Sequence, residues 1–66
     1  MISYDPFFKT MKEKGITTYR LIHTYGISSS LLNRLKNNLP ITTVTLNDLC
    51  RILDCKVEDI IIYREK

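Results

Sequence analysis

The apolar residues around Gly26 constrain the fold more than any other feature of this chain. Before the glycine, Leu21, Ile22 and Tyr25 recur at the spacing of one helix face. After it, Ile27 leads into Leu32 and Leu35, which repeat that spacing. Thr17 and Ser28 stand where helix N-caps belong, because a hydroxyl can accept one of the backbone N–H groups that a first turn leaves unpaired. Gly26 supplies the left-handed backbone that ends a helix at little steric cost. Residues 18–37 therefore read as two short helices, held at a fixed angle by their apolar stripes and joined by a turn with one glycine.

The flanking segments read as more helix. A first helix is expected from Asp5 as cap and Pro6 as opening residue, with Phe8 and Met11 on its buried face and Gly15 at its end. The helix after Ser28 is expected to run to Asn37 and Asn38, with Pro40 forbidding continuation. Residues 39–44 read as a loop. A fourth helix is expected from Thr45, whose spacing to Asp48 resembles a capping box, with Leu46, Leu49, Cys50 and Leu53 on one face. A short fifth is expected over residues 57–63, with Glu58 and Asp59 in its first turn. The expected fold is all-α, a compact five-helix bundle forming a single domain over residues 1–66. At 66 residues there is room for one small core, which buries about 60% of the unfolded surface.

Several function classes fall away. Cys50 and Cys55 stand five apart with one histidine elsewhere, short of the four ligands a structural zinc needs. They read as small buried hydrophobes or partly exposed thiols without function. His23 has no nucleophile or acid at a catalytic spacing and reads as a surface residue. Tyr25 is expected in the core. There is no glycine-rich phosphate loop and no cofactor motif, so neither enzyme nor cofactor is expected, and no catalytic or metal site. No apolar run reaches the roughly 18 residues of a membrane span, and no export signal is evident, so a cytoplasmic place is expected. The net charge of +3 is unevenly distributed. Lys9, Lys12, Lys14, Arg20, Arg34 and Lys36 face a single acid, Glu13, across residues 9–38, whereas residues 48–66 carry more acids than bases. The positive field lies on the half that holds the Gly26 turn, as phosphate binding requires.

Two short helices about such a turn form a helix-turn-helix, whose second helix can lie in the major groove of DNA while the first crosses the backbone. The segment resembles the helix-turn-helix of the phage Cro and repressor family. Leu21 and Ile22 match packing positions of its first helix, Gly26-Ile27 its turn, and Leu32 and Leu35 the buried positions of its recognition helix. The residues from Thr45-Leu46 to Cys55 resemble its fourth helix, and those from Val57 to Ile61 its fifth. Ile22 departs from the family, which usually has Ala there, and a slightly splayed crossing is expected.

Independently of that resemblance, at about 100° per residue the direction opposite Leu32 and Leu35 is taken by Ser30, Asn33, Arg34 and Asn37, flanked by Ser29 and Lys36. Arginine pairs with guanine, asparagine with adenine and serine with either. An ordinary solvated helix carries the same residue types, so this face acquires meaning from the turn beside it. The resemblance implies double-stranded DNA as partner, with Ser29, Ser30 and Asn33 reading bases and Arg34 reading a base or anchoring to the backbone. It places Thr18, Lys36, Asn37, Asn38, Thr42 and Thr43 against phosphates, and Tyr19 lies near them. The apolar run from Ile60 to Tyr63 exceeds what a short helix buries. Either the excess packs back on the core, or Ile62 and Tyr63 form the self-complementary patch of a homodimer. The expected function is a transcriptional regulator, most simply a repressor. The alternative is a protein-interaction module, such as an antitoxin or adaptor, on the same scaffold.

Overall fold

The computed structural model describes residues 1–65. Four α-helices carry the fold: α1 (Asp5–Glu13), α2 (Thr18–His23), α3 (Ser29–Lys36) and α4 (Thr43–Leu53). A single 3-10 turn follows at Val57–Asp59, and a two-stranded ribbon pairs β1 (Ile2–Ser3) with β2 (Ile62–Tyr63). The strands are antiparallel, with Ile2 opposite Tyr63 and Ser3 opposite Ile62. Tyr4, Phe7, Met11, Leu21, Leu32, Leu35, Leu49, Leu53 and Ile60 form the core, so every α-helix contributes to it.

The helix starts follow from side-chain hydroxyls. Thr17 accepts from the Arg20 N–H and Ser28 from the Leu31 N–H, both at 3.1 Å, as the sequence predicts. The fourth helix starts two residues earlier than expected, because Thr42 rather than Thr45 is the cap. The Thr42 hydroxyl accepts from the Thr45 N–H at 3.1 Å and donates to the Thr45 hydroxyl. The first helix likewise begins at Asp5 itself, with Tyr4 in the cap position and the Asp5 N–H donating to the Ser3 hydroxyl.

Three helix ends share one device. Gly15, Asn38 and Asp54 all have positive φ (69°, 56° and 50°). The next residue's N–H then reaches back five positions: Ile16 to the Met11 carbonyl, Leu39 to Arg34 and Cys55 to Cys50, at 2.9 to 3.0 Å. Each closure satisfies a last-turn carbonyl. The fourth end, at Gly26 (φ 72°), is wider, and Ile27 N–H reaches the Leu21 carbonyl at 3.0 Å. A Cβ at Gly26 would meet nothing within 4 Å, so the backbone angle, not space, demands glycine there.

The carboxyl end corrects the expected fifth helix. Only Val57–Asp59 turn helically, and the chain then extends through Ile62 and Tyr63 as strand. Consecutive β-branched isoleucines lose side-chain freedom in a helix and suit a strand. Residues also alternate faces along a strand, so Ile62 and Tyr63 cannot share the single patch that a helix would give them. Tyr63 shares a face with Ile2, and Ile62 with Ser3. In the first helix Phe7 is fully buried, while Phe8 is half-buried and meets it edge to face, with ring centres 5.0 Å apart.

Candidate nucleic-acid interface

The surface of interest is what the α2–α3 pair leaves uncovered. Leu21 from α2 and Leu32 and Leu35 from α3 are buried, and the half-buried Ile22, Ile27 and Leu31 pack beside them. With those faces committed, helix geometry turns Ser29, Ser30, Asn33, Arg34, Lys36 and Asn37 to solvent, and all six are exposed. The structure therefore brings the four expected base-reading residues onto one open helix side. Ser29 and Ser30 stand at its amino-terminal end, where short side chains leave the first turn open.

Several of these groups already have internal partners. Asn37 Nδ2 donates to the Asn33 carbonyl at 2.8 Å and to Asn33 Oδ1 at 3.2 Å, which orients Asn33 and leaves its own amide N–H groups available. Arg34 Nη1 donates to the Pro40 carbonyl at 2.9 Å. A guanidinium has five N–H donors, so that contact occupies a minority of them.

The other expected contacts divide. Thr18 and Lys36 are exposed on α2 and α3. Thr43 is exposed in the first turn of α4, while the hydroxyl of Thr42 is taken up in the cap. Asn38 is exposed but engaged within the fold: its Oδ1 accepts the Tyr4 N–H at 3.1 Å. Tyr19 is 68% exposed and its ring stacks on His23, with centres 4.1 Å apart and planes 32° from parallel. Tyr25 corrects an expectation. It is 37% exposed rather than core, because α2 ends at His23 and the helical spacing from Leu21 no longer aims it inward.

Tyr4 is the residue whose role sequence reasoning missed. It is buried, its hydroxyl donates to the Leu39 carbonyl at 2.7 Å, and its N–H meets Asn38. The signal was available, since Tyr4, Phe7 and Met11 stand at i, i+3 and i+7.

Among the described residues no three potential metal ligands cluster, and no helix is long and apolar enough to cross a membrane. Cys50 and Cys55 are free thiols, and burial, followed by the neighbouring Cys50, pushes the Cys55 thiol up to about 11.

Residues 9–66 match a family model described as the Cro/C1-type HTH DNA-binding domain. The crystal structure of the transcriptional regulator VanUg, form II, is similar, with a TM-score of 0.85 and 25% identity. The likeness covers 98% of this chain and 87% of that one. No curated protein matches the chain.

Proposed function

Because this chain belongs to the Cro/C1-type HTH DNA-binding domain family, we propose that it is a sequence-specific regulator of transcription that inserts α3 into the major groove and represses by occupying an operator. A DNA-binding domain of this kind is not an enzyme. The observation that carries the finer reading is the open side of α3, where Ser29, Ser30, Asn33 and Arg34 are exposed together beside a capped first turn. In this reading Asn33 and Arg34 meet base edges through their free N–H groups, and the serines contact bases at the groove floor. Thr18 and Thr43 meet phosphates from the starts of α2 and α4, where unpaired backbone N–H groups favour anions. Lys36 and Asn37 flank the groove, while Thr42 and Asn38 act through the backbone they hold. This reading places the protein in the cytoplasm.

A twofold partner fits this reading. Two copies would read half-sites one helical turn, about 34 Å, apart. The exposed apolar face of the ribbon that carries Ile2, at 41%, and Tyr63, at 69%, is the surface on which they would meet, with Ile62 at the opposite face.

The test is selection of bound duplexes from a random pool, followed by titration. The chain should enrich one motif, with affinity falling steeply as salt rises. Asn33→Ala should cost about 1–3 kcal/mol against the selected duplex and little against unrelated DNA. Paired half-sites in the motif would support the dimer. A pool that yields no motif would overturn the regulator reading in favour of a protein-interaction module.

A further inference from the structure

The segment between α3 and α4 has no ladder to hold it, yet side chains clasp three consecutive residues of it. Asn38 stands at the left-handed turn after α3, with φ 56°. Its Oδ1 accepts the Tyr4 N–H at 3.1 Å, and the carbonyl of Leu39 accepts the Tyr4 hydroxyl at 2.7 Å. From the other side, Arg34 holds the Pro40 carbonyl at 2.9 Å. Tyr4 thus grips two adjacent residues 34 and 35 positions away. It is itself fixed, being 2% exposed and placed directly between β1 and α1.

We propose that Tyr4 and Asn38 are positioning residues for sequence recognition: a latch that sets α3 against the start of α4, so that base and phosphate contacts are made together. The proposal rests on the DNA reading above but assigns a role to two residues that need touch no DNA with their side chains. The physical reason is leverage. The loop from Asn38 to Thr42 joins the end of the recognition helix to the cap of the helix whose first turn faces phosphates. Two rigid helices read one duplex only if their relative placement is held to about 0.5 Å. Without the latch the loop keeps its backbone closure, Leu39 N–H to the Arg34 carbonyl, so the fold survives while the placement loosens. A looser placement harms a selected site, where every contact must register, far more than unrelated DNA, which is held by charge alone.

Three variants separate the latch from simple stability. Tyr4→Phe keeps the ring and deletes the hydroxyl. Asn38→Gly keeps the positive φ and deletes Oδ1, while Asn38→Asp retains an acceptor there. Each is titrated against a duplex recovered by selection and an unrelated duplex of equal length, at a temperature where circular dichroism shows it fully folded. Tyr4→Phe and Asn38→Gly should each weaken the selected duplex by about 3- to 10-fold, the worth of one hydrogen bond, and the unrelated duplex by less than about 2-fold on the same scale. Asn38→Asp should lose affinity for both through its added charge but keep the wild-type ratio. If the first two variants melt earlier yet keep that ratio, their role is structural only and the latch is wrong. Failure of the DNA reading looks different, since the wild-type chain would then prefer no duplex.

Discussion

The α2–α3 pair and the chain ends are held by different means. In the pair, each helix carries its own start signal, with Thr17 and Ser28 bonding N–H groups three residues on. Its turn is set by one glycine, and its core share comes from Leu21, Leu32 and Leu35. At the ends the bonds that tie the segments to the rest of the molecule span 34 residues or more. Ile2 pairs with Tyr63, the Thr10 hydroxyl donates to the Asp59 carbonyl at 2.8 Å, and Tyr4 clasps the loop after α3. The exposed side of α3 is thus specified locally, and its setting in the molecule is specified at a distance. A binding surface built this way can change its exposed residues without disturbing how it folds.

The comparison breaks most readily in the core, which the two regions share. Leu35→Ala, at a side chain 1% exposed, should cost about 2–5 kcal/mol through lost transfer energy and the cavity left behind. Thermal melts followed by helix signal and by Tyr4 environment should shift together. Separate transitions would show that the regions are independent units, and the contrast would then be one of domains rather than of means. A smaller effect sharpens it. Ser28→Ala and Thr10→Val each remove one hydroxyl bond, and each should cost about 1 kcal/mol. Ser28→Ala should speed amide exchange within α3 only, whereas Thr10→Val should loosen the Val57–Asp59 turn. Equal spreading of both effects would deny the local character of the pair.

A further effect lies in pH. Burial, the main cause, pushes the Cys55 thiol up to about 11 in the fold. An unfolded thiol ionises near 8.5, so between these values the unfolded chain has lost a proton that the folded one retains. The stability this thiol contributes is complete below the unfolded value and is lost as pH rises toward 11. Urea midpoints should fall across that window, and the fall should be shallower in Cys55→Ser. Parallel curves for the two proteins would place the alkaline loss elsewhere.

The same division explains what could be read from the sequence. The α2–α3 pair was legible because caps, glycine and apolar spacing all lie within residues 17–35. Membership of the Cro/C1-type family was legible there too. Part of what failed was governed from afar, and part turned on where a helix starts or stops. Residues 60–63 look like a helix face until β1 is there to pair with them, and pairing across the chain is invisible to periodicity. Tyr25 misled because its spacing from Leu21 is helical, although the helix has ended. Thr42 and Thr45 are equally good caps by type, and the structure gives the role to Thr42. Of the site, the exposed side of α3 followed from Leu32 and Leu35 alone, whereas the internal bond of Asn38 depended on a tyrosine 34 residues away.

The ribbon has a consequence for the order of events in folding. Pairing Ile2 with Tyr63 closes nearly the whole chain into one loop, and the entropy lost on closure grows as (3/2)RT ln n with loop length n. Two residues per strand return little against that loss, so the ribbon closes after the helices have already brought its ends together. The opening runs in reverse. The ribbon is the first contact to fray, and Tyr4, one residue beyond β1, is the first buried apolar side chain that fraying reaches.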